Sequence, residues 1–79
     1  MAFIPSGAIK TYMSMKSIIA ACFSDKKRDP YVTMSKLNGT VTVTIRRKGQ
    51  KTITHDIRIS DVEYLKQVYE QLYQMAFRR

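Results

Sequence analysis

The sequence predicts an α+β fold of order αβββα, a three-stranded antiparallel sheet with two helices on one face. Three observations carry that expectation. Asn38-Gly39 is a hairpin signal, because both residues tolerate the positive φ of a type I′ turn. Beyond it, Val41, Val43 and Ile45 alternate with Thr40, Thr42, Thr44 and Arg46, and Ile53, His55, Ile57 and Ile59 alternate with Thr52, Thr54, Asp56 and Arg58. A period of two marks half-buried strands. On either side of this region apolar residues recur at steps of three and four, the period of a helix face. A chain of 79 residues makes one small domain, and 44% hydrophobic against 25% charged residues excludes wholesale disorder.

The first helix is expected over 8–23, after the breaker cluster Pro5-Ser6-Gly7, with Ser6 as its cap. Ala8, Tyr12, Met15, Ile19 and Cys22 form its buried stripe, widened by Ile9 and Phe23. Ser24 to Pro30 ends it in a charged loop, the proline biasing Asp29 towards extended geometry. Strands follow over 31–37, 40–47 and 51–59, with Lys48-Gly49-Gln50 as the second turn. The second helix, over 61–77, opens on a capping box of Ser60 and Glu63, with Asp61 in its first turn. Val62, Leu65, Val68, Tyr69, Leu72, Met75 and Ala76 repeat at helical spacing, and Arg78 and Arg79 suit the negative end of the helix dipole.

Charge is the strongest clue to function. Fourteen Lys and Arg against six Asp and Glu give +8, an excess that attracts polyanions and says little about fold. Arg46, Arg47, Lys48 and Lys51 crowd the tip of the second hairpin, and Lys26, Lys27 and Arg28 crowd the loop after the first helix. Short basic runs are commonly just solvated loops. Here the hairpin lacks compensating acids: between Pro30 and Ser60, six cations (Lys36, Arg58 and the hairpin four) face Asp56 alone, a net of +5. The sheet face turned away from the helices carries Thr42, Thr44, Arg46, Thr52, Thr54, Asp56 and Arg58. Threonine suits an exposed strand in its own right, but hydroxyls with guanidinium groups also suit phosphates and base edges. Base stacking is disfavoured, since Tyr31 lies at a strand start and no aromatic sits mid-strand on that face.

Tyr64, Tyr69, Tyr73 and Phe77 make the second helix apolar over more than one face. The row is either core packing or the seam of a homodimer or other protein partner.

Several function classes are set aside. One cysteine, Cys22, allows no internal disulfide, and one cysteine with one histidine, His55, falls short of a zinc site. Ile19-Ala20-Ala21-Cys22 has the form of a lipoprotein cleavage box, but the apolar stretch before it is too short for a secretory signal. No run reaches the ~18 apolar residues of a membrane span. The expected place is the cytoplasm, nucleoid or nucleus, with no membrane partner. His55 falls in phase with Ile53 and Ile57 while Asp56 points to the other face, so they form no catalytic pair. No acid pair, nucleophile–base arrangement or phosphate-cradling glycine loop is present, so neither an enzyme nor a cofactor is expected.

Residues 38–71 resemble the three-stranded-sheet-plus-helix DNA-binding modules of ethylene-response factors and integrase arm-binding domains. Gly39 to Arg46 is similar to their second strand, Gly49 to Ile53 to their third, and Ser60 to Glu63 to their helix cap. The resemblance implies that Thr42, Thr44, Arg46, Thr52 and Thr54 face a major groove. The order αβββα is also that of double-stranded-RNA-binding domains. Those carry a lysine-rich start to the second helix, where this chain has Ser60-Asp61-Val62-Glu63, so DNA is preferred to RNA. The expected function is non-enzymatic binding of double-stranded DNA by the open sheet face and the basic hairpin. The alternative is a small interaction module, such as a phage-type inhibitor of the anti-CRISPR kind, set against an acidic protein surface of a larger nucleoprotein complex.

Overall fold

Asn38 and Gly39 take φ values of 51° and 76°, the left-handed pair whose twist matches that of the strands a type I′ turn joins. The structure, a computed structural model, describes residues 6–77. Around this turn β1 (Tyr31–Leu37) pairs antiparallel with β2 (Thr40–Arg46), from Leu37 opposite Thr40 to Tyr31 opposite Arg46. β3 (Ile53–Arg58) pairs with the other edge of β2, from Arg58 opposite Thr40 to Ile53 opposite Ile45. The sheet order is therefore β1-β2-β3. α1 (Ser6–Ile18), extended by a π turn over Ile19–Phe23, precedes the sheet, and α2 (Val62–Phe77) follows it. The fold is α+β, in the order αβββα.

One core joins the layers. Ala8, Met15, Ile19 and Phe23 from the first helical segment meet Leu65, Val68 and Leu72 from α2 and the Val/Ile face of the sheet in a single cluster. Alternation is sharpest in the central strand, where Val41, Val43 and Ile45 are buried and the threonines between them half-buried. The two helices start side by side: a Cβ on Gly7 would stand 3.8 Å from Val62. Both helices thus cover one face of the sheet and leave the other open.

The elements depart from the sequence expectation at four places. α1 already includes Ser6, the residue expected to cap it; Pro5, like Arg78 and Arg79, lies outside the described residues. Ile9, expected on the buried stripe, is 46% exposed. β2 ends at Arg46 and β3 begins only at Ile53, because Arg47 to Thr52 form a loop closed by a bond from the Gln50 N–H to the Arg47 carbonyl (3.1 Å), with Gly49 at φ 77°. α2 is capped by Asp61 and not by Ser60. A turn bond from the Asp61 N–H to the Arg58 carbonyl (2.8 Å) sets Asp61 at the cap, where its carboxylate accepts from the Tyr64 N–H (3.2 Å) and its carbonyl from the Leu65 N–H (3.1 Å).

The π turn settles which side chain closes the core beneath β1. At roughly 100° per α-helical residue, Cys22 would share the stripe of Met15 and Ile19 while Phe23 swung to its edge. An i→i+5 turn advances by only about 80° per residue, which brings Phe23 back onto the stripe and moves Cys22 aside. Phe23 is accordingly 3% exposed, and Cys22 is half-buried with a free thiol.

Candidate nucleic-acid interface

The β1–β2 register fixes the geometry of the basic segments. Because Tyr31 lies opposite Arg46, the loop that enters β1 (residues 24–30) and the loop that leaves β2 (residues 47–52) come together at one end of the sheet. Two hydrogen bonds stitch them: the Arg46 Nη2 donates to the Lys26 carbonyl (3.2 Å), and the Lys48 backbone N–H donates to Asp29 Oδ1 (3.0 Å). Within the first loop, the Asp25 carboxylate accepts from the Lys27 N–H (2.9 Å). Two of the chain's acids therefore serve to shape backbone among the cations.

Lys26, Lys27, Arg28, Arg46, Arg47 and Lys48 line one basin of about 440 Å³ between the loops, with Asp29, Gln50 and Thr52 completing its wall. Six cations and one acid leave the basin at +5. Arg46 is the best-positioned of them. Its guanidinium carbon stands 4.8 Å from the Tyr31 ring centroid, a stacking contact that holds the planar fork in place while its edge stays available for a second partner. Lys51 lies in the same loop, exposed, but outside the basin wall.

The remaining cations stand apart. Arg58 ends β3 opposite Thr40, six residues along β2 from Arg46 and so roughly 20 Å from it. Lys36 is opposite Val41 on the helix-covered side, with Nζ 5.4 Å from the Tyr12 ring centroid. It does not join the open face. On that face, Thr33, Thr44 and Thr54 form the cross-strand row nearest the basin's Arg46, and Ser35, Thr42 and Asp56 form the next. Thr42 donates its hydroxyl to Asp56 Oδ1 (2.9 Å). A carboxylate thus occupies the middle of the threonine field and takes one of its hydroxyls, so the field is not uniformly suited to phosphate.

The aromatic residues of α2 divide into two groups. Tyr69, Tyr73 and Phe77 form a ladder, with ring centroids 6.2 Å and 4.8 Å apart; Tyr73 and Phe77 are 43% and 57% exposed. Tyr64 instead turns to the sheet, where its hydroxyl shares a 3.0 Å hydrogen bond with His55 Nδ1. His55 is half-buried on the helix-covered side beside Val43, and its Nε2 is buried without a partner. Tyr64→Phe is expected to cost about 1–3 kcal/mol by leaving the imidazole with no bonded nitrogen. Tyr64→Phe combined with His55→Leu removes both polar groups and should recover most of that loss in a urea titration. A double variant weaker than Tyr64→Phe alone would contradict this account of the pair.

Sequence reasoning named the six basin cations but not their convergence, and it missed Asp29 and Gln50. The signal was available. A two-residue turn that sets Leu37 opposite Thr40 also sets Tyr31 opposite Arg46, which carries the first basic loop to the second. Among the described residues, no three His, Cys, Asp or Glu side chains gather as a metal site, and no helix is long and apolar enough to cross a membrane. No protein-family model matches the chain, and no curated protein or solved structure shows significant similarity to it.

Proposed function

We propose that the protein is a non-enzymatic nucleic-acid-binding domain that grips the phosphate backbone of a duplex, DNA in the first instance, at its basic end. The observation that carries this reading is the convergence of two basic loops on one basin at +5. Like charges gathered at a hydrogen-bonded loop junction repel one another, and a polyanion relieves that repulsion while releasing its own counterions. The threonine row beside Arg46 offers hydroxyls to the same strand, and Arg58 gives it a second phosphate contact further along the face. The test is binding of a fluorescent duplex across a salt series. With about five phosphates engaged, about three at the basin and the others at Lys51 and Arg58, affinity should fall with a log–log slope near −4.5; no binding at ~50 mM salt, where even non-specific contacts register, would remove the reading.

The exposed Tyr73 and Phe77 favour a second reading, in which this side of α2 is a protein interface, either a homodimer seam or a docking face that sets the basic end against an acidic protein surface. Wild-type protein at micromolar concentration should then sediment with a dimer fraction that Tyr73→Ala with Phe77→Ala abolishes. A wild type monomeric throughout would assign the ladder to packing within the chain.

A further inference from the structure

The charge of the basin exceeds what a passing strand supplies. A volume of about 440 Å³ corresponds to a sphere roughly 9 Å across, and a duplex is wider than its own ~12 Å major groove, so a duplex cannot enter the basin and only one strand's backbone can. A strand brings one charge per ~3.4 Å along the axis, about three across that span. The basin offers +5. Two of its groups are also held in place: Arg46 by the Tyr31 ring and the Lys26 carbonyl, and the Lys48 backbone by Asp29. Cations in excess of the backbone charge, with the Arg46 guanidinium held in place among them, describe a site for phosphoryl groups packed more closely than diester linkages allow.

We infer that the basin is a compact polyphosphate site, taking a chain of anhydride-linked phosphoryl groups such as a 5′-triphosphate. The inference rests on the phosphate-binding reading of the same basin and narrows it from backbone to strand end. Anhydride-linked phosphates place several charged oxygens within reach of both loops at once. The Arg46 fork suits one phosphoryl group in a bidentate contact, and Arg28 and Lys48 stand on the two loops to meet its neighbours. A strand held by its end in the basin would leave across the row of Thr44 and Thr54 and over the β3 edge of the open face, without laying phosphate over Asp56.

A triphosphate could come from a nucleic-acid strand end or from a free nucleotide, and the experiment separates the two. A short labelled oligonucleotide with a 5′-triphosphate is compared, by fluorescence anisotropy, with the same oligonucleotide ending in a 5′-hydroxyl. The triphosphate form should bind about tenfold tighter or more, as one or two added charge-assisted contacts imply. Inorganic tripolyphosphate should displace it. Competition by a nucleoside triphosphate equal to that of the oligonucleotide assigns the site to free nucleotides; preference for the oligonucleotide assigns it to strand ends. Arg46→Gln should bring the ratio of the two affinities close to one, and Arg28→Gln, on the exposed first loop, should do the same without touching the Tyr31 stack. Equal affinity of the two oligonucleotides for the wild type overturns the polyphosphate site and leaves the backbone reading standing. Binding of neither at ~50 mM salt overturns both.

Discussion

Glutamine at Arg28, Arg46 and Lys48 together is expected to cut the salt slope for duplex binding by about 2.7, at 0.9 per phosphate contact. The consequence is large. A wild type with about five contacts should lose about 500-fold in affinity between 50 and 200 mM salt, whereas a variant with two should lose only about 12-fold from a much weaker start. The triple substitution removes one cation from the first loop, one from the end of β2 and one from the second loop, so it samples the whole basin wall. Arg46→Lys sharpens the result. It keeps the charge but not the planar fork over Tyr31, so the slope should hold while affinity falls. A triple variant whose slope equals that of the wild type would mean that binding occurs elsewhere. An intact circular dichroism spectrum should accompany the loss, because all three side chains are exposed.

Leu65→Ala, with Leu72→Ala, should be the most damaging of the single apolar truncations in α2, both leucines being fully buried. Leu65 is 0% exposed in the first turns of that helix, and deleting a fully buried leucine costs about 2–5 kcal/mol in lost transfer energy and residual cavity. A domain of this size has roughly 4–12 kcal/mol to lose, at 0.05–0.15 per residue. The variant should therefore sit near its unfolding midpoint well below the wild-type urea concentration. Leu37→Ala is the control. At 74% exposed, Leu37 should change stability by no more than about 0.5 kcal/mol. Similar losses at the two positions would contradict the placement of the core between α2 and the sheet.

The elements legible in the sequence are those whose signal is local. The Asn38-Gly39 turn and the Thr/Val alternation of β2 need only neighbours a few residues away, and both stand in the structure where the pattern puts them. Features governed by competition between local signals were harder to read. Ser60 and Glu63 have the spacing of a capping box, but the turn bond from the Asp61 N–H to the Arg58 carbonyl (2.8 Å) hands the cap to Asp61. Phe23 belongs to the core only because a π turn changes the angular step of α1, and nothing in helical spacing announces that. The basin shows the opposite case. Its two halves lie some twenty residues apart in sequence, as Arg46 and Lys26 do, and only hairpin register places them side by side. Lys36 illustrates the limit of counting charge. It contributes to the basic character of the sheet segment, yet its strand position turns it towards Tyr12 on the covered side.

Amide chemical shifts of labelled protein titrated with a short duplex test the central claim most directly, since they locate the contact without changing a residue. The account predicts that shifts concentrate in Lys26 to Asp29 and Arg46 to Thr52, on both loops, and saturate along one curve. Smaller shifts should follow along Thr44 and Thr54, while Ile9 and Met13 on the outer side of α1 stay unmoved. Shifts confined to α2, or to one of the two loops alone, would contradict a shared site at the basic end.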